Sequence, residues 1–104
     1  MVRISVFYPH GQGKQFDMDY YRRKHIPTIQ QTLGPALKSL VVEQGLGGMA
    51  AGSPPAYTVV CHLGFETMEK LQATMAAHGD AMMADLPNFT EVKPVVQISE
   101  VIID

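Results

Sequence analysis

The chain has 104 residues, of which 46% are hydrophobic and 17% charged, and its formal net charge is −2 at pH 7. This length supports one small core and this composition argues against disorder, so we expect a single domain spanning residues 1–104. The weak negative charge gives no electrostatic basis for binding nucleic acid or an anionic membrane, and neither partner is expected.

The cysteine content and the short apolar segments indicate a cytoplasmic protein. Cys61 is the only cysteine and has no partner for an intramolecular disulfide, which fits a reducing compartment. The uninterrupted apolar stretches are only a few residues long, so none is expected to span a bilayer. The N-terminal stretch lacks the basic start and apolar block of a signal peptide.

The N-terminal third of the chain predicts a strand followed by a long helix. Residues 2–8 are β-branched and aromatic at alternating positions, as in a strand. The stretch GQGK at 11–14 lacks the spacing of a phosphate-binding loop, so we expect it only to connect strand and helix. Asp17 is suited to cap the helix, which Gly34 ends. The buried stripe of this helix is predicted to be Met18, Tyr21, His25, Ile29 and Leu33.

A proline interrupts this first helix. Pro27 removes one hydrogen bond from the helical ladder and clashes with the carbonyl four residues earlier. We therefore expect a kink near residues 23–27 and an unpaired carbonyl in the turn of His25.

The rest of the chain predicts two strands, a second helix and a last strand. In chain order these are a strand at 37–46, a surface loop at 47–55, a strand at 57–63, a helix opening at Glu66 or Thr67, and a strand at 95–103. The core stripe of the second helix is predicted to be Met68, Leu71, Met75, His78 and Met82. Gly79 weakens this helix just after His78, so we expect its last turns to be broken.

The element order βαββαβ predicts an α+β fold of the ferredoxin-like type. In this fold a four-stranded antiparallel sheet carries both helices on one face. The strand positions Tyr57, Val59, Cys61 and Leu63 are expected beneath the helices because they form the more apolar alternating set.

Two helices leave the other face of the sheet uncovered. Alternation assigns to that face one alternating set of residues 95–103 and the side chains of Arg3, Ser5, Phe7, Val41, Glu43, Thr58, Val60 and His62. This set is too apolar for a solvated sheet and too polar for a core. We therefore expect a homodimer in which two sheets face each other across a partly polar cavity. A plain solvent-facing sheet is the alternative.

Two motifs at opposite ends of the chain resemble those of the EthD family. The first comprises Phe16-Asp17, Tyr20-Tyr21, His25-Ile26-Pro27 and Gly34, and the second comprises residues 82–90 (MMADLPNFT), Pro94 and Gln97-Ile98. The resemblance covers essentially the whole length and implies a dimeric α+β barrel of two ferredoxin-like units. The family is named after ethyl tert-butyl ether degradation. Related barrels include cofactor-free monooxygenases, polyketide cyclases, muconolactone isomerase and haem-dependent peroxidases, so the fold does not select the reaction.

The histidines are the main acid–base candidates because imidazole titrates near neutral pH. His25 is expected to transfer protons or bind ligand; the alternative is a buried histidine bonded to the carbonyl freed by Pro27. His78 and the nearby Asp85 are expected to act as a general base and its orienting carboxylate. The alternative for His78 is a helix-terminal histidine that bonds the last carbonyls.

The other histidines and the lone cysteine give no sign of a metal or cofactor. His62 is predicted on the cavity face, with a polar cross-strand cluster as the alternative, and His10 is expected to be exposed. No two histidines have the spacing of metal ligands, and Cys61 has no partner cysteine. Nothing selects an axial ligand for haem, so we expect neither metal nor cofactor.

These features predict a protein that binds a small apolar or aromatic molecule. The expected ligand-binding residues are Phe7, Tyr21, His62, Met75, Met82 and Phe89, with His25, His78 and Asp85 as the catalytic set. The methionines of the second helix are either core filler or an adaptable pocket wall. The first hypothesis is a cofactor-independent oxygenase or a cyclase/isomerase of catabolism or secondary metabolism. The second is a non-catalytic ligand-binding accessory to an oxidative degradation system, and the third is an interaction domain without a pocket.

Overall fold

The computed structural model describes residues 1–11 and 15–104. Its strands are β1 (Val2–Pro9), β2 (Ser39–Gln44), β3 (Tyr57–Phe65) and β4 (Val95–Glu100). Its helices are α1 (Met18–Tyr20), α2 (Ile26–Leu33) and α3 (Met68–Ala84), with a π turn at Tyr21–His25 and 3-10 turns at Gly34–Ala36 and Leu86–Asn88. Positions 12–14 of the predicted connecting loop lie outside the described residues.

The four strands form one antiparallel sheet in the order β2-β3-β1-β4. Ile29 and Leu33 of α2 and Leu71 of α3 belong to one buried cluster, so both helices cover the same face of the sheet. Ile4 of β1 and Leu63 of β3 belong to the same cluster beneath them. The predicted α+β, ferredoxin-like fold is confirmed. No helix in the described part of the chain is both long and apolar enough to cross a membrane.

The first helical segment contains a π turn where a kink was expected. Asp17 caps α1 by accepting a hydrogen bond from the backbone N–H of Tyr20 at 3.0 Å. The N–H of Ile26 then bonds the carbonyl of Tyr21, five residues earlier, so the ladder changes its spacing just before Pro27. Gly34 ends α2 with a φ of +52°, a left-handed value that side chains disfavour.

The α3 helix is continuous, and the break expected after Gly79 is wrong. The Thr67 side chain caps α3 by accepting from the backbone N–H of Lys70 at 3.2 Å. A glycine inside a helix costs only about 1 kcal/mol relative to alanine, which does not offset the packing of a long helix against a core. His78 therefore lies within α3, not at its end.

The core has a second, aromatic part at one end of the sheet. Its buried members are Tyr8, Tyr21, Val59, Leu86, Phe89 and Val92. These residues come from β1, the π turn, β3 and the segment after α3, so this cluster fixes the first helical segment against the end of α3.

The strand lengths differ from prediction: β2 and β4 are shorter, and β3 continues to Phe65.

The sheet face opposite the helices, which we call the far face, has the predicted composition. Residues directly opposite each other in a ladder share a face. In this way Ser5 lies beside His62 and Gln97, and Phe7 lies beside Val60 and Val95. Val41 and Glu43 join them from β2, opposite His62 and Val60 respectively.

The expected place of Tyr57 beneath the helices is wrong. The ladder shifts its register between Tyr8 and Pro9, where Pro9 pairs with Tyr57. The Tyr57 ring instead packs against Phe7 of the far face, with ring centroids 5.1 Å apart. The irregularity ends the strict alternation on which the prediction relied.

Candidate functional site

The carboxylate of Asp85 is the centre of the best-formed polar cluster in the described chain. Asp85 is the C-cap of α3, and its Oδ1 accepts from the hydroxyl of Tyr20 at 2.7 Å and from Nδ2 of Asn88 at 2.8 Å. Its Oδ2 lies 2.7 Å from Nδ1 of His25. One carboxylate thus connects the first helical segment to the turn after α3.

These contacts keep Asp85 ionised. Burial alone would raise the pKa of Asp85, but the hydrogen bonds from Asn88, His25 and Tyr20 favour the charged form and hold its pKa below the ordinary value. The hydrogen bond to Asp85, followed by burial, raises the pKa of Tyr20. Tyr20 therefore stays a hydrogen-bond donor at neutral pH.

The charge on Asp85 fixes the tautomer of His25. An ionised carboxylate can only accept hydrogen bonds, so Nδ1 of His25 must carry the hydrogen between them. The other nitrogen, Nε2, has no partner among residues 1–11 and 15–104, yet it is not one of their fully buried unpaired atoms. Nε2 is therefore not fully buried, and the His25 side chain lines a cavity. In the neutral ring Nε2 is the basic nitrogen.

Aromatic rings hold the imidazole in place. The His25 residue is only 4% exposed. Its ring stacks on Tyr21 with centroids 5.4 Å apart and lies 4.5 Å from the ring of Phe89. Tyr21 and His25 are the two buried residues of the π turn, and their four-residue spacing places them on the same side of the segment. A base held this way loses little freedom when it reacts.

A cavity of about 230 Å³, which we call the His25 cavity, opens beside this cluster. Its lining residues are Tyr20, His25, Thr28, Ile29, Thr32, Ala81, Met82 and Asp85. The lining combines one acid–base pair with three hydroxyls and an apolar wall. This composition suits a small, mostly apolar molecule with a polar or acidic group.

The neighbouring tyrosines and cysteine are not acid–base groups at neutral pH. Burial raises the pKa of both Tyr8 and Tyr21, and burial raises the pKa of Cys61 to about 11. The hydroxyl of Tyr21 is buried beside Cys61 without a hydrogen bond of normal geometry to any described residue. Tyr21 thus acts through its ring, which supports His25.

The structure brings five of the predicted site residues together. They are Tyr21, His25, Met82, Asp85 and Phe89. The expected pairing of His78 with Asp85 is not formed, because α3 continues past His78 and separates the two by about 10 Å along its axis. Asp85 bonds His25 instead. Nδ1 of His25 is therefore bonded to a carboxylate and not, as in the alternative interpretation, to a carbonyl freed by Pro27.

Two predicted ligand-binding residues lie on the far face, away from the His25 cavity. Nδ1 of His62 is 2.7 Å from the hydroxyl of Ser5, and Nε2 is 3.2 Å from Oε1 of Glu43. The Phe7 ring meets the His62 ring edge-on at 6.4 Å. This is the polar cross-strand cluster that was the alternative for His62, and its role in binding stays a prediction.

Sequence reasoning missed Tyr20 and Asn88, which complete the environment of Asp85. Both lie within the two motifs, so the motifs marked the right segments. Nothing local indicates that their side chains converge, because Tyr20 and Asp85 are 65 positions apart. Among residues 1–11 and 15–104, no cluster of three or more His, Cys, Asp or Glu side chains is placed to hold a metal ion.

Comparison with known proteins identifies the family. The EthD domain model matches residues 9–93. The chain belongs to the EthD family. Both motifs lie within or next to that match, and the His25–Asp85 pair joins them.

Relatives of this EthD chain resemble it over nearly their full length. An uncharacterised 11.0 kDa protein from the thcB–thcC intergenic region of Rhodococcus erythropolis is 30% identical over 90 residues, which cover 86% of this chain and 84% of that protein. An EthD-like protein from Ralstonia eutropha JMP134 is 38% identical, with a TM-score of 0.92 over 99% of this chain and 93% of that one. An EthD-family protein from Bacillus halodurans C-125 is 19% identical, with a TM-score of 0.68 over 98% and 99%.

More distant structures share the fold alone. A dimeric ferredoxin-like protein from Thermobifida fusca is 14% identical, with a TM-score of 0.52 over 96% of this chain and 90% of that one. An antibiotic biosynthesis monooxygenase is 9% identical, with a TM-score of 0.50 over 98% and 99%.

The ionised state of Asp85 predicts how stability depends on acid. Its pKa is lowered by folding, so its contribution is complete above its ordinary pKa and is lost as the pH falls through the lower, folded value. The free energies of unfolding of wild type and Asp85→Asn, measured by denaturant titration, should therefore differ by a constant amount from neutrality down to about pH 4 and converge as the pH falls further. Asp19 provides the control, because its only ion pair among the described residues is an exposed contact with Arg23: Asp19→Asn should change the stability much less than Asp85→Asn. A difference between wild type and Asp85→Asn that is constant down to low pH contradicts the assignment.

Proposed function

We propose that the chain binds a small apolar or aromatic molecule in the His25 cavity and removes a proton from it. The observation that carries the proposal is the 2.7 Å hydrogen bond between Nδ1 of His25 and Asp85, which leaves Nε2 as a base at the cavity. Asp85 orients the ring and stabilises the imidazolium that forms when Nε2 takes the proton.

The substrate that suits this base has an acidic O–H or C–H group, such as a phenol or an enolisable ketone. Removing that proton leaves an electron-rich anion. The anion can rearrange or cyclise, or it can give an electron to dioxygen without help from a metal or flavin. A cyclase, an isomerase and a cofactor-independent oxygenase therefore need the same first step. We propose that this proton removal belongs to cytoplasmic catabolism, which includes ether degradation, or to secondary metabolism.

A non-catalytic role as a ligand-binding accessory is the second candidate, and the lining of the cavity favours it. Among the lining residues, the only acid–base pair is His25 with Asp85, and the hydroxyl proton of Tyr20 is already donated to Asp85. No second acid is present in the lining to return a proton elsewhere on the substrate. A cavity of this kind can also hold an acidic molecule for another enzyme.

We also propose that two chains pair through their far faces as a homodimeric α+β barrel. Val41 and Val95, which lie on the two edge strands of the sheet, are 47% and 55% exposed there, and exposed apolar surface of this kind is typical of an interaction face. On the same face the Nε atom of Arg3 is buried without a partner among the described residues, and Ser5 is 3% exposed. A second copy would cover the apolar positions and supply an acceptor to Arg3.

The homodimer predicts a particle of twice the chain mass of 11.4 kDa. Sedimentation velocity at micromolar concentration should show this mass for the wild type and a single-chain mass for Val41→Lys, which places a charge on the far face in the edge strand β2. Val42→Lys is the matched control, because Val42 neighbours Val41 but points to the helix side of β2 and should leave the dimer intact. A wild type that sediments as a single chain contradicts the pairing.

Turnover experiments test the catalytic role of His25. Hydroxyaromatic and polyketide-like compounds are screened for conversion, and His25→Ala should lower the rate of any reaction by about 10²–10⁴-fold. Asp85→Asn should bind the compound but lose turnover, because an amide N–H facing Nδ1 would move the ring hydrogen to Nε2. His78→Ala should retain activity, since His78 does not line the His25 cavity.

The outcomes separate the two candidate functions. Conversion that His25→Ala abolishes, with the fold intact by circular dichroism, supports the enzyme. Saturable binding with no conversion in any variant supports the accessory role. Conversion that survives in His25→Ala contradicts the proposed base.

A further inference from the structure

A second, larger cavity of about 480 Å³ lies between α3 and the helix-side face of the sheet. We call it the α3 groove. Its lining residues are Ile4, Val6, Leu63, Leu71, Gln72, Met75, Gly79, Asp80, Met82, Met83, Val96 and Ile98. Only Gln72 and Asp80 are polar, and both are exposed at the rim. The groove reaches the core, because Leu63 and Leu71 in its floor are each 1% exposed.

Nothing in the part of the chain that the structure describes requires the glycine at position 79. A glycine inside a helix is unfavourable relative to alanine, and Gly79 does not have a positive φ. A Cβ built on Gly79 would meet nothing closer than the Cβ of Met75 at 3.9 Å, an ordinary contact. Neither backbone conformation nor internal packing therefore explains the residue. The effect of the missing side chain is to keep the wall of the α3 groove open.

The α3 groove lies next to the His25 cavity. Met82 lines both, so its flexible side chain is the wall between them. The His25 cavity, at about 230 Å³, is smaller than most ligand pockets, whereas the two together fall within the range of about 300–1,000 Å³. A deep apolar space beside a small site with a base suits one ligand with two unlike parts.

We infer that the α3 groove holds the apolar body of a ligand whose acidic head lies at Nε2 of His25, and that Gly79 sets the size of body admitted. This inference rests on the proposed function and names its substrate class: a phenol or enol that carries an alkyl or fused-ring body. Such a body would cover Val96 and Ile98, which are 44% and 46% exposed. The burial of this apolar surface would favour binding.

A series of 4-alkylphenols tests the inference. Dissociation constants are measured by calorimetry for phenol, 4-propylphenol and 4-hexylphenol with the full chain. In the wild type each added methylene should tighten binding about three- to fourfold until the groove is filled. Gly79→Leu should remove this gain with chain length and leave the dissociation constant of phenol unchanged. Gly79→Ala should reduce the gain partially and raise the unfolding midpoint, because the helix is strengthened.

Ala77→Leu is the matched control, because it adds the same bulk to α3 at an exposed position that lines neither cavity. It should keep the full gain with chain length. Equal affinity for all three phenols in the wild type, or a gain that survives in Gly79→Leu, overturns the inference. A change in sedimenting mass caused by Gly79→Leu also overturns it, because the groove would then be a contact between chains.

The same series distinguishes failure of the inference from failure of the proposed function. His25→Ala should leave the gain with chain length intact, because it alters only the head site. A gain that depends on Gly79 in both wild type and His25→Ala supports the inference even if no compound is converted. That result would count only against the catalytic part of the proposed function.

Discussion

The contact between Asp85 and His25 is the interaction on which the candidate site depends. It joins the C-cap of α3 to the end of the π turn, two residues 60 positions apart in the chain. Because Tyr20 and Asn88 also donate to Asp85, the carboxylate stays charged in a partly buried position. A neutral aspartic acid would not fix the ring hydrogen on Nδ1, and Nε2 would not then be a defined base.

His25 is the last residue of the π turn, which is the main local irregularity beside this contact. Without it, Pro27 would leave a gap in an α-helical ladder, and the turn before it would have to bend. The wider turn absorbs the change and presents Tyr21 and His25 side by side to Phe89. Single π turns within helices are often found at functional sites, because they displace one side chain from the regular helical pattern.

The sequence allowed the fold to be predicted because its signals are local and periodic. Alternation along β1, the caps Asp17 and Thr67, and the stop at Gly34 each depend on a few neighbouring residues. The element order then leaves few topologies, and the composition of the far face followed from alternation alone.

The candidate site was predicted less well because its contacts are distant in the chain. His78 was paired with Asp85 because they are close in sequence, whereas the real partner is His25. The register shift turns Tyr57 toward Phe7, and a π turn forms where a kink was expected. Both features depend on tertiary structure. No pattern of residue types distinguishes them from regular structure in a single sequence. The motifs located the segments that meet but not the atoms that bond.

The protonation state of the His25 ring tests the central claim most directly. Nitrogen-15 NMR, through the couplings of the two ring nitrogens to the carbon-bound ring protons, reports which nitrogen carries hydrogen. When the ring carries a single hydrogen, the account predicts that hydrogen on Nδ1 and none on Nε2. A ring with hydrogen on Nε2 under these conditions would contradict it.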